Sequence, residues 1–293
     1  MLRRGLVVSL ALLPARAWAA ETPVAVTSFS LLSDFTRRIA GGAMRVASLV
    51  PADADAHVYQ PTAADSRTLA AARILIENGL GFEGWLSRLG EAAGFKGTKI
   101  VATAGITPRR MPDGTATAID PHAWQNPRNG IRYVRNIAEG LAAADPANAA
   151  AYRANAAKFV ADIERMDAWI EAQYAAIPAP LRRIVTTHDA FGYYGDRFGI
   201  VFLAAEGLAT DSEPSAKSIA ALVAQIKREK VRTVFLENMT DPRISKMLAR
   251  ETNASLSGPL FSDSLSKPGG PAADYLSMLK HNTTLMARAM RPA

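Results

Sequence analysis

The strongest constraint on the fold is a long helical pattern near the middle of the chain, from Asp145 to Ile177. Asp145 and Pro146 predict its start, because Asp caps free N–H groups and Pro fits a first helical turn. Pro178 predicts its end. At 1.5 Å per residue this helix would be roughly 45–50 Å long, so we expect it to join two lobes. Its apolar face recurs every three or four residues and comprises Tyr152, Ala156, Phe159, Ile163, Met166, Ile170, Tyr174 and Ile177.

Short apolar runs alternate with helical segments on both sides of this helix, which predicts parallel sheets. The polar, Gly/Pro/Thr-rich stretch Met111–Asp120 predicts a loop. We expect an α/β fold of two Rossmann-like lobes, each a mainly parallel sheet flanked by helices. The N-terminal lobe would span residues 21–144, the linking helix 145–178 and the C-terminal lobe 179–293. The predicted strands are Val24–Ser28, Met44–Val50, Ile74–Ile76, Lys99–Ala102, Arg183–Thr187, Ile200–Ala204, Thr233–Glu237 and Ala254–Leu256.

The first twenty residues have the pattern of a secretory signal peptide: Arg3 and Arg4, the apolar run Gly5–Leu13, then small residues. The apolar run is too short to span a bilayer. Cleavage after residue 20 would remove three arginines and lower the formal charge from +7 to +4.

The chain has no cysteine, which excludes disulfides, thiolate ligands and an N-terminal lipid on cysteine. We expect a soluble, unanchored periplasmic monomer. The sequence has no run of Lys and Arg with interleaved aromatic residues, so we do not expect nucleic acid as a partner.

Four dispersed residues carry the functional interpretation: His57, His122, His188 and Asp263. They are separated by 65, 66 and 75 residues, and each lies at or beyond a predicted strand end or in a nearby loop. Proteins with parallel sheets bind small molecules and ions beyond the carboxyl ends of the strands. These four side chains could therefore converge between two facing lobes. Three imidazoles and one carboxylate form a suitable tetrahedral set for Zn²⁺. Ligating histidines usually donate their other N–H to a carboxylate or carbonyl, and the candidates are Asp55, Asp120, Asp189 and Glu237.

The residues alone leave other interpretations open. A single histidine beside a strand is more often structural than ligating, and an aspartate such as Asp263 often stabilises a turn. A secreted zinc hydrolase is a second functional hypothesis, with the three histidines binding a catalytic zinc and Asp263 or Glu237 acting as base. A compact His-Glu-x-x-His motif is absent. A third hypothesis is a binding protein for manganese, iron or a metal chelate.

Six segments, spread in order over nearly all of the mature chain, resemble the metal-binding solute-binding proteins of zinc/manganese ABC transporters, the cluster A-I family. The resemblance implies two α/β lobes joined by one long helix, and a non-enzymatic carrier that passes its metal to an inner-membrane ABC permease. It also implies that His57, His122, His188 and Asp263 bind the metal between the lobes. The segments are His57–Pro61, Asn78–Trp85, Asp120–Trp124, Thr187–Tyr193, Glu213–Ser215 and Asp263–Leu265.

Within this family, a histidine at the third ligand position resembles the zinc-type members, whereas manganese-type members typically have a glutamate there. His188 therefore predicts Zn²⁺ as the transported ion. Two positions depart from the family pattern. Gln60 stands where many members have glutamate, and Thr103–Ile119 is short and lacks the histidines of the long loop in many zinc-type members. A periplasmic metallochaperone is a candidate partner that would replace this loop.

Overall fold

The computed structural model describes residues 24–113, 116–210 and 214–291, so the predicted signal peptide lies outside the described residues. Glu213, part of one family segment, also lies outside them. The strands in the described ranges are β1 Val24–Thr27, β2 Arg45–Ser48, β3 Ile74–Glu77, β4 Thr98–Val101, β5 Arg110–Asp113, β6 Ala116–Ile119, β7 Arg183–Thr186, β8 Val201–Ala204, β9 Thr233–Glu237 and β10 Ser255–Leu260. The helices are α1 Ser30–Ala40, α2 Ala63–Ala70, α3 Leu86–Ala92, α4 Pro127–Ala144, α5 Ala149–Ala175, α6 Gly192–Phe198, α7 Ala216–Glu229, α8 Arg243–Thr252 and α9 Tyr275–Met290.

Two four-stranded parallel sheets with the same topology form the two lobes. The first sheet has the order β2-β1-β3-β4, and the second has the order β10-β9-β7-β8. In each sheet successive strands are added first on one side of the lobe's first strand and then on the other, so a topological switch point lies between its first and third strands. The predicted α/β fold of two lobes and a long connecting helix is confirmed.

Burial on both faces explains why the central strands were visible as apolar runs. Ile74, Leu75 and Ile76 of β3 are all completely buried, as expected for a parallel strand covered by helices on both sides. The outer strand β10 is more exposed and has an irregular register between Ser257 and Leu260. Gly258 occupies this irregularity at a φ of +108°, where a Cβ atom would lie 2.8 Å from the Leu236 carbonyl oxygen.

The predicted loop Met111–Asp120 was wrong. Arg110–Asp113 and Ala116–Ile119 form a two-stranded antiparallel hairpin, β5–β6, with Arg110 paired to Ile119. This hairpin is held by pairing between its own backbone groups, and its polar sequence lacks the apolar alternation by which strands are recognised.

The long connecting helix α5 has 27 residues, about 40 Å at 1.5 Å per residue. It begins later than the sequence predicted, because Pro146–Asn148 form a 3-10 turn ahead of it. The expected capping role of Asp145 was also wrong. Its carboxylate accepts hydrogen bonds from Asn148 Nδ2 at 2.8 Å and from the Tyr152 hydroxyl at 2.5 Å, rather than from backbone N–H groups of the helix. The apolar face is confirmed, with Phe159, Ile163 and Ile170 buried.

One helix besides α5, the helix α9, also connects the halves of the molecule. The last helix, α9, packs against α5 and α1, and the Tyr275 ring lies 4.7 Å from the Phe35 ring. The main hydrophobic core therefore runs from the first sheet through α5 into α9. A second cluster around Val234 and Leu248 fills the space between the second sheet and α7 and α8. None of the helices in the described ranges has the length and apolarity that crossing a membrane requires. The proposed division at residues 144/145 and 178/179 stays a prediction.

Candidate metal centre

Four loops from the two lobes meet between the sheets. His57 lies in the loop that follows β2, and His122 follows the hairpin β5–β6. His188 comes directly after β7, and Asp263 follows β10. His57, His188 and Asp263 follow the carboxyl ends of parallel strands from both sheets, so the fold brings side chains 65 to 75 residues apart in sequence into one place.

The four side chains form one compact cluster, with one ligand atom from each lying within 4.8 Å of the others. His57 Nε2 is 3.2 Å from His122 Nε2 and 3.2 Å from Asp263 Oδ2. His188 Nε2 is 3.0 Å from Asp263 Oδ2, and His122 Nε2 is 3.6 Å from Asp263 Oδ1. All three histidines direct their Nε2 atoms towards the aspartate.

This geometry fits a metal ion at the centre of the cluster. Ligands at about 2.0–2.2 Å from a tetrahedral ion are roughly 3.3–3.6 Å from one another. The four separations given above, 3.0–3.6 Å, are close to these values. Asp263 is completely buried, and its Oδ1 atom has no hydrogen-bond partner among the described residues. A buried carboxylate oxygen without a partner is costly, and a bound cation would satisfy it.

Carboxylates contact the far ring nitrogens of two of the candidate ligand histidines. Asp120 Oδ1 lies 2.8 Å from His122 Nδ1, and Glu237 Oε2 lies 2.7 Å from His188 Nδ1. Glu237 is itself fixed, because its Oε1 accepts backbone N–H groups of Thr187 and His188. A carboxylate beside Nδ1 favours a proton on that nitrogen, so Nε2 is the nitrogen suited to bind a metal.

The other two candidate carboxylates have different contacts. Asp55 accepts hydrogen bonds from the backbone N–H of His57 at 2.8 Å and from the Thr210 hydroxyl at 2.6 Å. It therefore holds the backbone of the His57 loop and does not contact the imidazole ring through these bonds. Asp189 is adjacent to His188 and lies in the field of Arg109 and Asp120. Burial raises the pKa of Asp189, and Asp120 adds to this effect while Arg109 opposes it.

Charges inside the cluster are strongly coupled. Burial alone would lower the pKa of His188, but Glu237 and Asp263 outweigh it and raise that pKa well above its usual value. Burial alone would raise the pKa of Asp263, but His188 and His122 outweigh it and hold that pKa well below its usual value. In the metal-free protein these contacts favour an ionised Asp263 and a protonated His188.

Aromatic rings that the sequence reasoning did not single out enclose the N-terminal side of the site. The Phe82 ring lies 4.7 Å from the His57 ring, and the Trp124 ring lies 5.3 Å from the His122 ring. Trp124 also donates its indole N–H to the carbonyl of Ser262 in the other lobe, at 2.9 Å. Phe82 and Trp124 lie in Asn78–Trp85 and Asp120–Trp124, two of the segments that carry the family resemblance, and this was the sequence signal that could have identified them. Both rings are buried, and Trp124 ties the His122 loop to the Asp263 loop.

A family model described as zinc-uptake complex component A, periplasmic (ZnuA), matches residues 25–289 of the chain. The iron-binding protein YfeA of Yersinia pestis is 31% identical over 264 residues, covering 90% of this chain and 85% of that protein. The manganese ABC transporter substrate-binding lipoprotein PsaA of Streptococcus pneumoniae is 30% identical over 272 residues, covering 90% of this chain and 88% of that protein.

The fold is also similar to that of a solved metal-binding protein. The manganese-bound form of a mutant periplasmic metal-binding protein from Candidatus Liberibacter asiaticus superimposes with a TM-score of 0.85 at 33% identity. The match covers 92% of this chain and all of the solved chain.

Proposed function

The chain belongs to the family of zinc-uptake complex component A, periplasmic, and from this premise we propose that it captures Zn²⁺ in the periplasm and delivers it to an ABC permease. The cluster of His57, His122, His188 and Asp263 is the observation that carries the proposal. In this function the metal is cargo, so the site must bind it tightly and also release it. Ligands divided between two lobes meet both needs, since separating the lobes dismantles the site.

Zinc is the proposed cargo because of the donor atoms. Three imidazole nitrogens and one carboxylate suit zinc better than manganese, which favours oxygen ligands. The relatives YfeA and PsaA are described as iron-binding and as part of a manganese transporter, respectively. The carboxylate of Asp263 presents both oxygens to the cluster, which would also permit a higher coordination number. Metal competition is therefore the decisive test of the cargo.

We propose a carrier rather than a hydrolase because of the position of Asp263. A catalytic zinc keeps three protein ligands and an open fourth position for water, with a general base nearby. Here the Asp263 oxygens lie at 3.0–3.6 Å from the three ligand nitrogens, in the place of the fourth ligand. Glu237, the other candidate base, lies against His188 Nδ1 on the outside of the cluster.

The test is the metal content of the purified protein and of four variants. We expect about one zinc per chain in the wild type, and its loss or strong reduction in His57→Ala, His122→Ala, His188→Ala and Asp263→Ala. His281→Ala is the matched control, since this histidine lies outside the cluster and contacts the Pro259 carbonyl. Mass spectrometry of metals after dialysis gives the stoichiometry.

Competition between Zn²⁺, Mn²⁺ and Fe²⁺ in a calorimeter then identifies the cargo. Tighter binding of Mn²⁺ or Fe²⁺ than of Zn²⁺ would contradict the zinc assignment and leave the transport role in place. Full metal content in all four variants would contradict the ligand set itself.

The short hairpin between the first two ligands carries no histidine. A metallochaperone that supplies zinc in place of a histidine-rich loop remains part of the proposal.

A further inference from the structure

Arg109 lies immediately before the hairpin β5–β6 and contacts both lobes. Its Nη1 is 3.3 Å from Asp120 Oδ2, and its Nε is 3.0 Å from Asp196 Oδ2 at the helix α6 of the second lobe. Burial would lower its pKa, but the carboxylates of Asp196, Asp120 and Asp189 raise it. The guanidinium is therefore a permanent positive charge between acidic groups that flank two of the ligand histidines.

The two carboxylate oxygens of Asp120 have separate partners. Oδ1 accepts the backbone N–H of His122 at 2.9 Å and lies 2.8 Å from its Nδ1 atom, while Oδ2 faces Arg109. Asp120 is completely buried, so its orientation depends on these partners. We infer that Arg109 is a positioning residue of the metal centre, whose guanidinium fixes the carboxylate that in turn orients the His122 ring.

The second lobe provides the surface on which the guanidinium rests. A Cβ atom added to Gly192 would lie 2.3 Å from Nη1 of Arg109, 2.4 Å from Cζ and 2.8 Å from Nε. The next residue, Tyr193, accepts the backbone N–H of Arg109 at 2.7 Å and donates to the Asp120 carbonyl at 3.1 Å. Helix α6 therefore supports both ends of the hairpin, and the orientation of His122 in one lobe depends on contact with the other.

The contact with Asp120 should matter more than the contact with Asp196. Asp196 is 68% exposed, and exposed ion pairs contribute little because water screens them. Asp120 is buried, and loss of its partner leaves a buried carboxylate without its compensating charge. We therefore expect Asp196→Asn to weaken metal binding much less than a change at Arg109.

The test measures the dissociation constant for Zn²⁺ by competition with a chromophoric chelator. For Arg109→Gln we expect roughly a tenfold increase, in the range seen when groups that orient metal ligands are removed. Arg109→Lys keeps the positive charge and should restore most of the affinity. Arg153→Gln is the matched control, because Arg153 forms an exposed ion pair with Glu139 on helices α5 and α4. The melting temperature of the metal-free protein separates loss of positioning from loss of folding.

Gly192→Ala tests the same inference without changing Arg109. The atoms that the new methyl group would meet belong to a flexible side chain, and alanine is the better helix former, so the fold should tolerate it. The methyl group would displace the guanidinium, and the dissociation constant should rise as in Arg109→Gln. In the double variant the effects should not add, since both act on one contact.

This inference rests on the proposed ligand set, and the two can fail separately. A wild type that binds no zinc would defeat the proposed function. A wild type that binds zinc, together with unchanged affinity in both Arg109→Gln and Gly192→Ala, would overturn the positioning role alone. A lower melting temperature in Arg109→Gln with unchanged affinity would assign it a purely structural role, and would equally overturn the inference.

Discussion

The ring nitrogens of the two most deeply placed histidines face opposite ways: Nδ1 towards a carboxylate and Nε2 towards the centre of the cluster. His122 has Asp120 on its Nδ1 side, and His188 has Glu237. Both carboxylates are buried, so the ring nitrogens meet a carboxylate rather than bulk solvent. Asp120 and Glu237, which are not themselves candidate ligands, therefore favour Nε2 over Nδ1 as the metal-binding nitrogen.

Glu237→Gln should weaken zinc binding. The amide can still accept the backbone N–H groups of Thr187 and His188 through one oxygen. Its NH₂ group would then face the N–H at His188 Nδ1, and two donors repel. We expect a loss of about 10–100-fold in zinc affinity, measured by chelator competition. Glu139→Gln, at an exposed site, is the control, and equal affinities in these two variants would contradict the role of Glu237.

Zinc binding should release a proton near neutral pH. The pKa of His188 is raised, because Glu237 and Asp263 outweigh its burial, so the metal-free site holds a proton that zinc must displace. Affinity should rise with pH until the pH passes this raised pKa. Calorimetry in buffers of different ionisation enthalpy measures the protons released. Identical binding enthalpies in all buffers would show that His188 is already neutral.

The same two shifts set the pH range in which the metal-free protein is most stable. The raised pKa of His188 stabilises the fold below about pH 6.5, its unfolded value, and this contribution is lost as pH rises through the folded pKa. The lowered pKa of Asp263 stabilises the fold above about pH 3.9, and this contribution is lost as pH falls through the folded pKa. Both contributions are complete between about pH 4 and 6.5. Denaturant unfolding across pH should show the maximum there, and a maximum only above pH 8 would contradict the pairing.

Among the secondary-structure elements, the central strands and the long helix were visible in sequence because of burial. β3 is covered on both faces, so its sequence is a continuous apolar run. α5 is covered on one face, so its apolar residues recur every three or four positions. Helix starts were less visible in the sequence. Its pattern predicts helices over Phe82–Ala93 and Asp189–Phe198, whereas α3 begins at Leu86 and α6 at Gly192. The hairpin β5–β6 was missed because its strands pair with each other and need no apolar face.

Ile163→Ala should destabilise the protein through the core along α5. Ile163 is completely buried on the helix face that packs into the main hydrophobic cluster. Its truncation should lower the free energy of unfolding by about 2–5 kcal/mol, because it removes apolar contacts and leaves a cavity. Glu164→Ala, at the next and exposed position, should change stability little. Denaturant unfolding of the metal-free forms measures both, and similar losses would contradict the assigned helix face.

At the scale of the whole molecule, contacts around the candidate metal centre join the two lobes independently of α5. Asp53 donates its backbone N–H to the Leu265 carbonyl at 3.0 Å, and Leu265 donates to the Ser30 hydroxyl at 3.0 Å. Trp124 reaches Ser262 in the same region. These hydrogen bonds lie close to Asp263, so a change in lobe spacing would act directly on the candidate ligands. With α5 and α9 connecting the halves, we expect release through a small tilt and loop motion.

Zinc should stabilise the whole chain by linkage. A metal bound only by the folded form adds about 2.7 kcal/mol to the free energy of unfolding at 100 times its dissociation constant. Thermal or denaturant unfolding with and without zinc measures the effect. The increase should vanish in Asp263→Ala and persist in His281→Ala. An unchanged wild-type transition in saturating zinc would contradict binding at a site that the two lobes share.

The sequence by itself determined the alternation of strands and helices, the long connecting helix and the four candidate ligands. These features are local, since each leaves a period, a strand end or a residue type that can be read directly. Only the tertiary structure decided that the four side chains lie within 4.8 Å of one another. It also decided that Asp120 and Glu237, rather than Asp55 and Asp189, contact the ligand rings, and that Arg109 rests against Gly192. Such contacts join residues far apart in the chain, and they depend on how the two sheets face each other, which no local pattern records.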